Sequence, residues 1–137
     1  MKKIAQLASK RKVALSIAVL LICPLAKAEW VRTFQNIQGT AYYLDPNSIE
    51  HHGNMRRVWE MESYRDVTKE GMHSMKLFKE YDCKQELGRF KKYVAYTGPE
   101  AKGEMLGAVE TPSEWKTVNA SPAAKLVFST ACKDYKP

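Results

Sequence analysis

Long hydrophobic runs are scarce in this 137-residue chain: one apolar stretch, Val13–Leu25, spans about 13 residues, and nothing comparable follows it. A helix that crosses a bilayer needs about 20 apolar residues, so no transmembrane segment is expected in the chain beyond that stretch. Cysteine is scarce too, with three in all and no C-x-x-C, which argues against dithiol redox chemistry and clustered zinc ligands. The three histidines are His51, His52 and His73. Adjacent residues of an extended chain point to opposite faces, and nothing around them has metal-ligand spacing, so no metal site is expected. There is no G-x-S-x-G, no glycine-rich phosphate loop and no thiol beside a histidine. With none of the usual nucleophile or phosphate motifs, no catalytic residue and no cofactor can be named, and the chain reads as a non-enzyme.

What is present begins with a leader. Lys2, Lys3, Lys10, Arg11 and Lys12 precede the apolar run, and Ala26-Lys27-Ala28 follows it with small residues at −3 and −1. This is the layout of a Sec signal peptide over residues 1–28, cut between Ala28 and Glu29. Ile22 stands directly before Cys23, where a lipidation site wants a small residue, so Cys23 is expected to leave with the leader; lipidation is the alternative. The remaining residues, 29–137, read as one domain. Of the 22 basic residues six lie within residues 1–27, which leaves 16 against 15 acidic ones. A net charge so close to zero removes the obvious argument for a nucleic-acid partner.

Two cysteines then remain in an exported chain, Cys83 and Cys132, and an oxidising compartment pairs them. Closing that loop is worth about 4 kcal/mol on chain-entropy grounds. Cys83 ends the most regular stretch of the sequence, Met72–Cys83, where His73, Met75, Leu77, Lys79, Tyr81 and Cys83 alternate with a more polar set. Period-2 alternation marks a half-buried antiparallel strand. Similar readings give strands at Trp30–Gln35, Thr40–Asp45, Met55–Arg65, Arg89–Tyr96 and Glu104–Glu110, with briefer pieces at Ile49–His52 and Trp115–Val118. Asp45-Pro46-Asn47-Ser48 is a turn, Asp66–Gly71 links a hairpin, and Gly107 marks a bulge. On Met55–Arg65, Trp59 and Met61 are expected to be buried.

Ser121-Pro122 opens a helix, with serine as N-cap and proline in the first turn. Ala124, Val127, Phe128, Ala131 and Cys132 fall on one stripe, so the disulfide and the apolar face point at the same target. The tail, Asp134–Pro137, is expected to fray. The fold class is α+β: a single curved antiparallel β-sheet of about six strands with a C-terminal α-helix packed on one face and tied by the disulfide.

The ordered set of these features resembles the surface-adhesin protein E family of Gram-negative bacteria. It includes the exported N-terminus with Trp30, Tyr42–Ile49 (Y-Y-L-D-P-N-S-I) and Val58-Trp59. It continues through Tyr81-Asp82-Cys83 with Arg89, Trp115–Pro122 (W-K-T-V-N-A-S-P) and Cys132. The resemblance implies the same small sheet with a disulfide-held helix. It also implies a surface or periplasmic binding protein, the family's named member being an adhesin for host matrix proteins.

Glu60 and Glu62 share one strand face about 7 Å apart. Cross-strand ion pairing with Lys76 and Lys91 or Lys92 on an open sheet face is the expectation, rather than acid–base catalysis. Tyrosine and arginine recur along the strands, and these residues carry interface energy. Arg56, Tyr64, Arg89 and Tyr93 are the candidate protein-binding residues. The function read from all this is an exported binding protein, an adhesin-like module of the periplasm or cell surface that engages a host or envelope macromolecule, protein or extracellular matrix. The alternative is a periplasmic structural or inhibitor module, for example against a host hydrolase. Monomer and homodimer both stay open. Glu29 is the expected first residue of the exported protein, checked by N-terminal sequencing; a lipidated Cys23 or an uncut chain would overturn this reading.

Overall fold

The computed structural model describes residues 28–137. The expected signal peptide lies outside the described residues except for Ala28, and Cys23 lies outside them too. The elements in chain order are β1 (Val31–Gln35), β2 (Ala41–Leu44), β3 (Glu50–His52), β4 (Met55–Ser63), β5 (Ser74–Asp82), β6 (Leu87–Tyr96), β7 (Met105–Val109), β8 (Lys116–Thr117) and α1 (Pro122–Ala131). All strands join one open antiparallel sheet with a main path β1-β2-β4-β5-β6-β7; β3 adds to β4 and β8 to β6.

The turn chemistry read from Asp45–Ser48 explains why β2 and β3 lie on the same side of β4. Pro46–Ser48 forms a 3-10 turn capped by the Asp45 carboxylate, which accepts from the Asn47 N–H at 3.0 Å. The Asp45 N–H donates to the Trp59 carbonyl, and the Trp59 N–H donates to the Ser48 hydroxyl at 2.9 Å. Ser48 Oγ thus takes the place of a strand carbonyl, so the central strand keeps its bonding where the neighbouring chain steps out.

The register of β4 with β5 sets Arg56 opposite Tyr81, Val58 opposite Lys79 and Ser63 opposite Ser74. Even residues of β4 therefore share a face with odd residues of β5, the face that Cys83 terminates. Leu44, Val58, Tyr81, Val118, Val127 and Ala131 make the buried cluster there, with Ile49, Phe128 and Cys132 packed against it. The Tyr81 ring meets Phe128 edge-on at 5.7 Å. It also lies across Gly88, where a Cβ would come within 2.8 Å of the ring; glycine is what lets the phenol settle flat on β6. The helix starts as the sequence indicates, with the Ser121 hydroxyl accepting from the Ala124 N–H. Ala123, Val127 and Ala131 are its most buried residues, so the stripe begins one residue earlier than the expected Ala124. Two alanines at the contact let the helix backbone approach the sheet closely.

Four details differ from the sequence reading. The helix covers the Val58 face of β4, so Trp59 and Met61 stand on the opposite side; Met61 is buried there at 1% exposure while Trp59 is half-buried. Glu60 and Glu62 lie on the helix-covered face and not on an open one. The tail is also anchored: the Tyr135 N–H donates to the Cys132 carbonyl, and its ring lies 6.0 Å from the Arg56 guanidinium. The bulge near Gly107 falls at Leu106, the extra residue between the Ala95–Gly107 and Tyr96–Met105 pairs.

Cys83 and Cys132 are bonded, with their Cα atoms 5.7 Å apart. The bond joins the end of β5 to the last turn of α1 across 49 residues. Replacing both by serine is expected to cost about 2–4 kcal/mol. In thermal melts the helical circular-dichroism signal should then fall before the sheet signal; an unchanged, single transition would contradict the tether.

Candidate functional site

The sheet's two faces have opposite characters. On the helix side, Glu60 is buried and its carboxylate pairs with Lys79 Nζ at 3.0 Å and accepts the Tyr81 hydroxyl. Burial would lower the Lys79 pKa, but Glu60 beside it wins and raises it. Burial, reinforced by Glu60, pushes the Tyr81 phenol well up. Burial also raises the Glu62 carboxyl, which accepts the Tyr64 hydroxyl at 3.2 Å. A pocket of about 140 Å³ lies here, lined by Tyr42, Glu60, Glu62, Lys79 and the first turns of the helix. The glutamates in it are already partnered by lysine and tyrosine, so this is a satisfied polar layer under a helix.

The other face carries no helix. Its central rows, read across β4, β5 and β6, are Arg57–Glu80–Arg89 and Trp59–Phe78–Lys92, with Lys76 beside Met61 and Val94 in the next row. Glu80 is the hub. Its Oε1 accepts from Arg57 Nε at 2.9 Å, and its Oε2 accepts from Arg89 Nε and Nη2 at 2.9 and 2.7 Å. Lys91 Nζ stands 3.9 Å away, brought in by the bulge that breaks the register between Phe78 and Lys79. The Arg89 guanidinium also stacks on Trp115, 4.4 Å from the ring centre.

Trp59 and Phe78 pack at 5.0 Å in the middle of this face. Lys76 Nζ lies 5.9 Å from the Trp59 centroid and 5.4 Å from that of Tyr96; Lys92 Nζ lies 5.3 Å from Trp59 and 6.0 Å from Phe78. One end of the face is closed by the loop after β6. There the Glu100 N–H donates to Ser63 Oγ, the Ala101 N–H to Ser74 Oγ, and the Tyr43 hydroxyl to Glu100. The result is a shelf of aromatic rings set with cations. It has hydrogen-bond donors and stacking surface.

Comparison with known proteins decides the family. The model of the family described as "Surface-adhesin protein E" matches residues 30–133. The chain belongs to the surface-adhesin protein E family. Among solved structures it is similar to Haemophilus influenzae protein E in crystal form II, with a TM-score of 0.59 and 14% identity over 80% of this chain and 91% of that one. The selenomethionine form of Haemophilus influenzae protein E gives a TM-score of 0.60 and 15% identity, over 80% of this chain and 89% of that one. No curated protein sequence matches significantly. Identity this low carries the shared fold alone, while the family match places the protein among exported cell-surface proteins. No helix among the described residues is long and apolar enough to cross a membrane.

Within this protein E fold, the four residues singled out from sequence are not brought together. Arg56 lies at 4% exposure on the helix side, where it donates to the Gly53 and Met55 carbonyls at 2.8 Å. Tyr64 is turned to Glu62 on that same side, and Tyr93 also faces it, edge-on to Phe90 at 5.6 Å. Arg89 alone stands on the open face, so no single flat contact can use all four. Lys76 and Lys92 do not pair with Glu60 or Glu62, as the sequence reading had it; the register puts them on the opposite face, over aromatic rings. The residues that sequence reasoning missed are Trp59, Phe78 and Trp115. The signal for the first two was Phe78 interrupting an otherwise polar even-numbered face of β5. His51 and His52 are exposed on the short β3, and among the described residues no three His, Cys, Asp or Glu side chains are placed to hold a metal.

Burial alone would raise the pKa of Glu80, but hydrogen bonds from Arg89 and Arg57, with the charge of Lys91, outweigh it and hold the carboxyl below its ordinary 4.5. A folded-state pKa depressed in this way adds stability that is complete above the unfolded-state value and lost as pH falls through the folded one. Glu80→Gln is expected to cost roughly 1.5–3 kcal/mol near neutral pH. The gap to the unsubstituted protein should then close in acid below the ordinary glutamate value. Urea denaturation of both proteins across that range checks it, and contributions from Glu62 cancel in the difference. A gap that does not change with pH would mean that the charge of Glu80 is not what the arginines hold.

Proposed function

We propose that this protein is a non-enzymatic binding module of the cell surface that engages a host or envelope macromolecule through the open face of its sheet. One observation carries the reading: one face of three long strands presents stacked rings and cations, while the helix packs on the Val58–Tyr81 region of the opposite face. Arginine, tryptophan and tyrosine at a broad surface are the residues that hold binding energy at interfaces. Charged side chains on such a face steer encounter and select partners. The carboxylates under the helix are spoken for, and the pocket around them is small, which supports binding rather than turnover as the protein's task. The surface-adhesin family description points the same way, and the comparisons do not favour a periplasmic structural or inhibitor module. Arg89 keeps its candidacy; Arg56 gives way to Lys76, Lys91 and Lys92.

The test is binding of the fluorescently labelled exported protein to intact host cells by flow cytometry, with folding checked by circular dichroism. A triple variant, Lys76→Gln, Lys91→Gln and Lys92→Gln, is expected to lose most of the binding, because interface cations cost roughly 1–4 kcal/mol each when they matter. A variant with Lys125, Lys133 and Lys136 all changed to Gln loses the same charge on and beyond the helix, and is expected to bind normally. Undiminished binding by the folded triple variant would show that the open face is not the site.

A further inference from the structure

We infer that the open face recognises a linear sulfated polysaccharide, an inference that rests on that face being the binding surface. The first ground is charge segregation. From Glu29 on, basic and acidic residues nearly balance, yet Arg57, Lys76, Arg89, Lys91 and Lys92 all stand on this one face. The carboxylates that β5 sets among them, Glu80 and Asp82, are already engaged, and Glu100 at the closed end of the face pairs with Lys102 at 3.1 Å. Glu80 is held by two arginines. Asp82 accepts from the Asn54 side chain at 2.8 Å and from the Lys84 and Gln85 N–H groups at 3.0 Å. The near-neutral total therefore conceals a cationic surface, and a field of this kind draws polyanions.

The second ground is which cations remain available. Arginine's planar fork suits bidentate carboxylate recognition, and here Arg89 turns Nε and Nη2, and Arg57 its Nε, to Glu80. Among the ion pairs of the described residues none includes Lys76 or Lys92. Their ammonium groups lie instead over Trp59, Phe78 and Tyr96, where the ring quadrupole holds a cation in place without cancelling its charge. Compact point charges with rotatable donors suit a tetrahedral sulfate, which needs no fixed fork.

The third ground separates a glycan from an acidic peptide. A peptide docks on a sheet best at its edge, where main-chain groups are free to pair. At the centre of this face the N–H and C=O groups of β5 are committed to the ladder on both sides, and those of β4 pair with β5 on one side and with β2, β3 and the Asp45–Ser48 turn on the other. A peptide laid there would desolvate its own amides without return. A chain of pyranose rings carries no such debt at every link: its apolar ring faces can rest on the aromatic side chains while its hydroxyls stay in water. Its sulfates then reach ammonium groups spread over neighbouring strands about 5 Å apart.

The experiment titrates the exported protein, disulfide intact, with a size-defined heparin oligosaccharide. The same oligosaccharide after complete desulfation, and poly-glutamate of equal charge, serve as comparisons, and tryptophan fluorescence and calorimetry are the readouts. The heparin oligosaccharide is expected to bind, to weaken as salt rises and to shift the tryptophan emission through Trp59 and Trp115. The desulfated chain and poly-glutamate should bind far more weakly. The Lys76, Lys91 and Lys92 triple variant should bind roughly tenfold more weakly, and the helix-side triple variant normally. If poly-glutamate binds as tightly as heparin, the face reads charge alone and the inference fails. If heparin does not bind while attachment to cells is lost in the face variant, the inference fails and the binding face stands. If attachment survives in the face variant, both fall.

Discussion

Because Ser63 sits opposite Ser74, every even-numbered residue of β4 shares a side of the sheet with every odd-numbered residue of β5. A shift of one residue would exchange the sides. The register that is observed puts Val58 beside Tyr81 and ends the same side at Cys83, where the disulfide to Cys132 brings down the helix. All else is arranged by that choice. Gly88 is bare because Tyr81 lies across it, and α1 offers alanines because the sheet surface it meets is already filled. Glu60 is drawn under the helix with Lys79 and Tyr81 as partners. Burying such a pair gains little net stability; satisfied as it is, it fixes the layer that the helix must match.

The same register produces the functional asymmetry. Cations from β4, β5 and β6 are left on the side without a helix, and the carboxylates that β5 sets among them, Glu80 and Asp82, are held by two arginines and by Asn54. Aromatic rings that would otherwise be an exposed apolar patch are covered by lysine ammonium groups, which keeps the surface wet and the rings within reach of a ligand. One arrangement thus keeps the rings hydrated and serves the proposed recognition. Placement of this face relative to the helix belongs to the fold, whereas what the face can bind depends on the side chains set on it.

Tolerance of such low identity within one fold follows from where the constraints lie. A cysteine pair, a turn that hands a central strand from β2 to β3, an N-cap and a face of alternating residues are enough to specify the architecture. Each can be met by many sequences. The hydroxyl of Ser48 standing in for a carbonyl at Trp59 is one such device, and the Asp45–Ser48 turn that supplies it is compact enough to be read without any structure.

The sequence by itself determined the elements, because they rest on local physics. Alternation marked the strands, Asp45-Pro46-Asn47-Ser48 the turn, and Ser121-Pro122 the helix start. Cys83 and Cys132 marked the tether. The surface-adhesin family was legible in the same way, since its motifs are short and ordered along the chain. What the tertiary structure alone decided was which neighbours those elements acquire. Trp59 and Val58 look equally fit for burial, and only the pairing with β5 together with the landing of the helix says that Val58 goes under it. Glu60 and Lys76 look like ion-pair partners until the register sets them on opposite faces. Arg56 and Arg89 are alike as sequence, yet one is buried against backbone carbonyls and the other is stacked on Trp115. Charge followed the same rule: a near-neutral total is a sum over residues, whereas the field a ligand meets depends on which residues face it.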